Sequence, residues 1–302
     1  MSFPLMPVTN PVSQPGIAWE AVGGLGATVD MRQLAVNPSG AWVAARANAT
    51  GIISRSVNYG STWSDVSTGS TDTLGSEGSA FGEGLFALSD FAGNTVRSSP
   101  DGTSWTLREN AARDNHRISY NDGYFVMGSG ANGGNGFVTG SADGTSWVGW
   151  PYAVGSNSVT CGIYVAALNR TFAGGSQYAY ANSVPTSPIS WTGTPTGLSG
   201  RVTDVAWSPP VAIGVVTGPS GIYSSTNLIS WTLRVSASNM YGVSWCETQF
   251  VAVGASGQIY TSPDGTDWTS RTSGTSAALY GAAGHNGVIL VVGSGGTVLR
   301  SS

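Results

Sequence analysis

Ser99-Pro100-Asp101-Gly102-Thr103-Ser104-Trp105 is the stretch on which the fold turns. Pro fixes φ at the second turn position, Asp accepts N–H bonds from its own turn, and Gly takes the positive φ that closes it. The phrase returns as Ser141-Ala142-Asp143-Gly144-Thr145-Ser146-Trp147 and as Ser262-Pro263-Asp264-Gly265-Thr266-Asp267-Trp268. With its weaker copies, the tryptophans that close it are Trp19, Trp63, Trp105, Trp147, Trp191, Trp231 and Trp268, at intervals of 44, 42, 42, 44, 40 and 37 residues. A period of about 43 without a helical pattern is that of propeller blades.

Blade 6 shows the unit in full: Tyr241 to Trp245, Phe250 to Val253, Gln258 to Ser262 and Trp268 to Arg271. These are four short runs of period two separated by Gly-rich hairpins, so each reads as a strand and the quoted phrase as the hairpin between the third and fourth. One blade cannot bury both its faces, and stacking must continue until none is uncovered. Residues 279 to 302 supply three strands and stop, while Pro15-Gly16-Ile17-Ala18-Trp19 supplies a fourth with no others beside it. The expected fold is therefore all-β, a seven-bladed propeller of four-stranded antiparallel blades spanning 15–302. Its N-terminal strand closes the ring against the C-terminal three, on the face of the box turns. Residues 1–14, rich in Pro and without period, are expected to leave that face as an arm.

Composition narrows the function. The chain has 302 residues, 9% of them charged, a net charge of -4, and twelve basic residues that are all Arg. It lacks the basic field that counterion-driven nucleic-acid binding needs, so no nucleic-acid partner is expected. No apolar run approaches the roughly 20 residues of a membrane helix, and the N-terminus lacks a signal-peptide pattern. Neither membrane insertion nor secretion is expected. Cys161 and Cys246 fall in the opening strands of blades 4 and 6, too far apart for a disulfide, and are expected as free, buried thiols.

Ser56-Val57-Asn58-Tyr59-Gly60-Ser61-Thr62-Trp63 resembles the Asp-box, or BNR repeat, of sialidase-like propellers, with Asn where Asp is usual. The other copies look like a variant one residue shorter. In that family the box is structural and lies away from the active site. Similar seven-bladed proteins include photosystem II assembly factors, lectins and phage tail or adhesion proteins. A catalytic member would need three arginines on a carboxylate, a Tyr and Glu nucleophile pair and an Asp acid, converging at the channel mouth. The family's Arg-Ile-Pro is missing from the first blade, which offers Met31-Arg32-Gln33; the nearest phrase, Arg117-Ile118-Ser119, is in blade 3 and lacks the Pro.

The residues give no other catalytic set. Glycosidases place two carboxylates roughly 5 to 10 Å apart. Asp101, Asp143 and Asp264 belong to box turns and the glutamates are scattered, leaving Glu109 and Asp114 as the one candidate pair. Two histidines and two distant cysteines have no metal-ligand spacing, and the Gly-rich stretches join strand to strand, with no helix to hold a phosphate. No metal or cofactor is expected, and the chain is read as a non-enzyme.

Recognition is expected on the face opposite the box turns, which carries the connections between blades and from second to third strands. Arg108-Glu109-Asn110-Ala111-Ala112-Arg113-Asp114-Asn115-His116-Arg117 packs five charged residues and a histidine into ten. Arg108, Glu109, Arg113, Asp114, His116 and Arg117 are candidate ligand contacts through charge-assisted hydrogen bonds. Of the non-box tryptophans, Trp42, Trp207 and Trp245 are expected in the core and Trp150, before Pro151, is expected to be the exposed one, and Tyr152, Tyr178 and Tyr180 are expected in irregular connections, ready to stack on sugar rings. Arg108, Arg234 and Arg271 each follow a box Trp by three residues, a recurrence that also fits blade architecture. The reading is a non-catalytic recognition or assembly propeller, a phage virion component of the tail or adhesion kind. It would bind a surface glycan or a neighbouring virion protein, with the arm as its anchor. A sialidase-like glycoside hydrolase and a bacterial lectin or assembly factor are the alternatives.

Overall fold

The computed structural model describes residues 18–22, 29–47, 51–71, 76–91, 95–109, 115–130, 136–151 and 158–301. They form seven antiparallel sheets around one axis. The opening strands run beside the channel: Met31–Val36, Ser76–Gly82, Asn115–Asn121, Val159–Val165, Asp204–Ser208, Met240–Cys246 and Leu279–His285, for blades 1 to 7. Among the described residues helix is confined to three one-turn 3-10 segments, Ala166–Leu168, Ala255–Gly257 and Ser294–Gly296. The expected arm, residues 1–14, lies outside the described residues.

Ring closure takes the expected form. Trp19–Ala21 joins the sheet of blade 7 as its outer strand, pairing Trp19 with Ser301, Glu20 with Arg300 and Ala21 with Leu299. Blade 4 departs from the four-stranded pattern. Its sheet holds Val159–Val165, Arg170–Gly175 and Tyr178–Ala181, and a single bridge from Tyr180 to Gly193 stands in for a fourth strand. Pro185, Pro188 and Pro195 fall in the segment that would supply it, and Pro cannot donate to a ladder. Thr196 instead crosses to blade 5, its N–H donating to Ile229 O and its carbonyl accepting from Trp231 N.

The box turns hold themselves shut. Ser99 Oγ accepts from Gly102 N at 2.8 Å, and Asp101 Oδ1 accepts from Thr103 N at 2.8 Å and Ser104 N at 3.3 Å. Trp105 Nε1 donates to Gly102 O, and the ring then joins a core of Val43, Ala45 and Ile53 from blade 1 with Phe86 of its own blade. The wedge between sheets is thus built by the turn before it. Blades 3 and 6 repeat these contacts. In blade 5 Leu228 takes the left-handed position that Gly holds elsewhere, at φ +57°. Its full burial against Phe172-centred packing offsets the roughly 1 kcal/mol or more that such a backbone costs. Arg108, Arg234 and Arg271 share one contact within the blade: each Nε donates to a third-strand hydroxyl, of Ser98, Ser224 and Thr261.

These turns carry an acid dependence. The Thr103 hydroxyl and N–H hold Asp101 well below its ordinary value. Burial would raise Asp264, yet the N–H groups of Asp267 and Thr266 hold it at about 2, and Asp143 is likewise held far down by Ser146 and Thr145. A carboxylate depressed on folding contributes stability that is present above its unfolded value and lost as pH falls through the folded one. Stability should therefore fall between about pH 4 and pH 2. Replacing all three by Asn, the residue blades 1 and 5 already use at this place, should flatten that stretch of a denaturation-against-pH curve. A variant whose curve keeps its slope there would refute the assignment.

Candidate functional site

On the face opposite the box turns, the ladder between the first two strands slips at the same place in six blades. The shifts lie between Met31 and Gln33, Ser76 and Gly78, Asn115 and Ile118, Val159 and Cys161, Met240 and Gly242, and Leu279 and Gly281. A bulged residue is released from pairing and its side chain is re-aimed. The residues released are Arg32, Glu77, His116 with Arg117, Thr160, Tyr241 and Tyr280. Together with Phe91 of blade 2 and Arg201 and Thr203 of blade 5, they line a cavity of about 450 Å³ at the channel mouth, to which every blade contributes. Glycine after the bulge lets the inner strands approach: a Cβ on Gly242 would sit 2.2 Å from Tyr280 O.

Arg117 spans the channel. Its Nη1 donates to Asp204 Oδ2 at 3.0 Å and its Nη2 to Tyr280 O at 2.7 Å, tying blade 3 to blades 5 and 7. Asp204 also accepts from Val205 N at 2.9 Å and Val243 N at 3.1 Å. Burial pushes its carboxyl above the ordinary value, opposed by Arg117 and those two N–H groups. Arg32 lies 4.5 Å from the centre of the Tyr280 ring, with Asp30 at 3.5 Å and Glu77 at 3.7 Å. Burial raises Glu77, against the pull of Arg32 and Arg117. Burial, with Arg201 and Arg117, lowers His116 to about 4, so its imidazole is neutral near pH 7 and packs edge-on to Phe91.

Arg201 differs from the other two cations. It is exposed, and its guanidinium has no hydrogen-bond or ion-pair partner among the described residues. Arg32 is matched by Asp30 and Glu77, and Arg117 by Asp204, which leaves Arg201 as the uncompensated charge of the mouth among the described residues. Tyr241 and Tyr280, with ring centres 5.5 Å apart and planes tilted by 43°, form an aromatic wall of the same cavity.

Of the residues expected from sequence, the fold brings His116 and Arg117 into this cavity. Arg108 lies in the outer strand of blade 2, against Ser98. Glu109 ends that strand, its backbone paired with Thr95. Arg113, Asp114 and Tyr152 lie outside the described residues. Trp150 is half-buried in the outer strand of blade 3 with its Nε1 enclosed, which corrects its expected exposure. Tyr178 and Tyr180 sit in the third strand of blade 4, not in irregular connections: Tyr178 Oη donates to Leu198 O, and Arg170 lies over the Tyr180 ring. Both rings already have partners. Arg32, Glu77, Arg201, Tyr241 and Tyr280 were not among the sequence candidates. Their one shared signal is position, since all but Arg201 are the second residue of an opening strand, three of them just before a Gly.

No family model matches the chain, and no curated protein does. Solved structures match over nearly all of it. A WD40 β-propeller domain of Doa1 has 13% identity, a TM-score of 0.73, and coverage of 95% of this chain and 97% of that one. A catalytically inactive virginiamycin B lyase from Staphylococcus aureus with quinupristin has 9% identity, a TM-score of 0.75, and coverage of 95% and 99%. YCF48 bound to D1 peptide has 15% identity, a TM-score of 0.68, and coverage of 94% of each chain. At these identities the likeness is one of fold. The Asp-box resemblance rests on the residues quoted for it. Among the described residues no helix is long and apolar enough to cross a membrane, and no three His, Cys, Asp or Glu group as a metal site.

Proposed function

We propose that this chain is a non-catalytic recognition and assembly propeller that grips an acidic group of its partner at the channel mouth. The observation that carries this is Arg201, an unmatched guanidinium in a cavity to which all seven blades contribute. A guanidinium binds a carboxylate through two parallel hydrogen bonds, and the tyrosine wall accepts the flat part of the group that bears it. A channel mouth in a chain of net charge -4 that keeps one unpaired cation among the described residues favours an anionic group. The similar fold of YCF48 has been seen with a peptide, which supports a protein partner; an acidic glycan offers the same chemistry. The setting we carry with this reading is a phage virion, tail or adhesion, with residues 1–14 as the link to a neighbouring protein.

The test is titration of a glutamate-rich peptide, and separately of sialyllactose, by calorimetry. One of the two should bind, and Arg201→Glu should weaken it about tenfold or more. Binding of neither, or binding indifferent to Arg201→Glu, would remove the proposal. The hydrolase reading keeps one observation in its favour, that three arginines, Glu77 and two tyrosines converge at the mouth. Against it, Arg117 is committed to Asp204 and Tyr280 O. Turnover of fluorogenic sialosides that Glu77→Gln abolishes would replace our reading with that one.

A further inference from the structure

We propose that the other end of the channel is a second binding site, shaped for an uncharged, hydroxyl-rich ligand of sugar size. This goes beyond the reading of the mouth and does not depend on it. A cavity of about 400 Å³ lies there, lined by the lower halves of the opening strands, with Asp204 in its wall. The Arg117–Asp204 pair therefore partitions the channel, and the two compartments differ in chemistry. The mouth holds five ionisable side chains of Arg, Glu and His. The lower wall has Asp204 as its one acidic or basic residue among those described, and that charge already faces Arg117.

The hydroxyls of the lower wall face the cavity as acceptors. Ser79 Oγ donates to Gln33 O at 3.1 Å, Ser119 Oγ to Gly162 O at 2.6 Å, and Ser244 Oγ to Ala282 O at 2.7 Å, each on the neighbouring blade. A hydroxyl has one proton and two lone pairs. With the proton committed to the next blade, what remains for a ligand is an acceptor. Asn121 donates one N–H of Nδ2 to Tyr164 O at 2.9 Å, leaving its Oδ1 as an acceptor and its second N–H as a donor. Gln33 donates one N–H to Ile118 O, accepts from Ser79 N and keeps a second N–H. A ligand that satisfies this wall must bring O–H or N–H donors, and an apolar one would leave the acceptors dry at a cost in free energy.

A cation also brings donors, but the carboxylate that would balance it is taken by Arg117. An uncharged polyol needs no balance. The same wall holds Phe81, Tyr120, Trp245 and Pro209, the first three half-buried, as flat apolar surface against which the C–H face of a pyranose stacks. Hydroxyl donors around the rim of a ring and an apolar face across it are the two features the wall asks for together.

Tryptophan fluorescence and saturation-transfer NMR on the full chain, with D-glucose, D-galactose and N-acetyl-D-glucosamine each titrated through the millimolar range, test this. At least one should give a saturable signal that Asn121→Leu and Trp245→Ala each weaken about tenfold, with thermal melts confirming that both variants fold. The signal should saturate equally in the Arg201→Glu protein, which separates this site from the mouth. Three sugars without a saturable response, a response indifferent to both substitutions, or one lost with Arg201→Glu would each overturn the proposal. Failure here leaves acidic-ligand binding at the mouth to stand or fall on its own titration.

Discussion

Asp204→Ala should cost about 3–5 kcal/mol of folding stability, the usual result of removing one partner from a buried ion pair. The side chain is 7% exposed and serves three donors from two other blades and its own strand. Removing it strands the Arg117 guanidinium, which keeps Tyr280 O alone, and leaves the N–H groups of Val205 and Val243 without acceptors. Each such orphan costs about 1–3 kcal/mol. The double replacement Arg117→Met with Asp204→Leu should recover the part owed to the stranded guanidinium, because it leaves no buried charge, while the two N–H groups stay unsatisfied. That Asp204 is pushed up despite Arg117 beside it says that desolvation outweighs attraction here. The pair thus contributes little net stability and a great deal of position, holding Arg117 across the channel between the two cavities. Urea denaturation of the single and double variants decides the matter. A single variant within about 1 kcal/mol of the parent, or a double variant no better than the single, would show that the pair does not act in this way.

Much of the architecture could be read from the chain, for a physical reason. A box turn is local: the Ser hydroxyl, the Asp carboxylate, the Gly φ and the Trp ring act within seven residues, so their pattern is visible in a line of text. Ring closure was legible for the same reason, since three strands without a fourth at one end and a lone strand at the other admit one solution. Blade 4 shows the limit. Trp191 keeps the period, but Pro188 and Pro195 deny the segment a ladder, and Thr196 finds its partners in blade 5.

The mouth was legible only where charge happened to be dense. His116 and Arg117 stood in a run of charged residues, whereas Arg32, Glu77, Arg201, Tyr241 and Tyr280 come one or two to a blade, with no local motif to join them. What joins all but Arg201 is the repeated bulge, a property of strand pairing that no single blade reveals. Aligning the seven opening strands on the residue before Gly78, Gly242 and Gly281 would have brought most of them into one column. The exposed aromatics were misjudged for the converse reason. A large ring on an outer or third strand has a neighbouring blade or loop to bury it, and Trp150, Tyr178 and Tyr180 each do so.

Deleting residues 1–22 should lower the melting temperature by on the order of 10 °C and open the ring at blade 7. The strand Trp19–Ala21 is short, but its contacts reach both interfaces of the closing blade. Trp19 packs on the cluster of Val251, Ile259, Leu279 and Leu299 between blades 6 and 7, and Val22 on that of Met31, Trp42 and Leu290 between blades 7 and 1. Burying a large apolar side chain is worth about 1.5–3 kcal/mol, and each ladder hydrogen bond adds about 1 kcal/mol, so the strand carries several kcal/mol. The Glu20 to Arg300 ion pair is exposed and adds little. Deletion also uncovers Val298–Ser301 as an edge strand, and an uncovered edge recruits other chains, so the truncated protein should associate as its concentration rises. A synthetic peptide of residues 15–22 should restore both melting temperature and monomer by adding the strand in trans. A truncated chain that melts where the parent does and stays monomeric would mean that the wheel closes without its first strand. Peptide rescue of stability and of assembly together would show that one strand governs both.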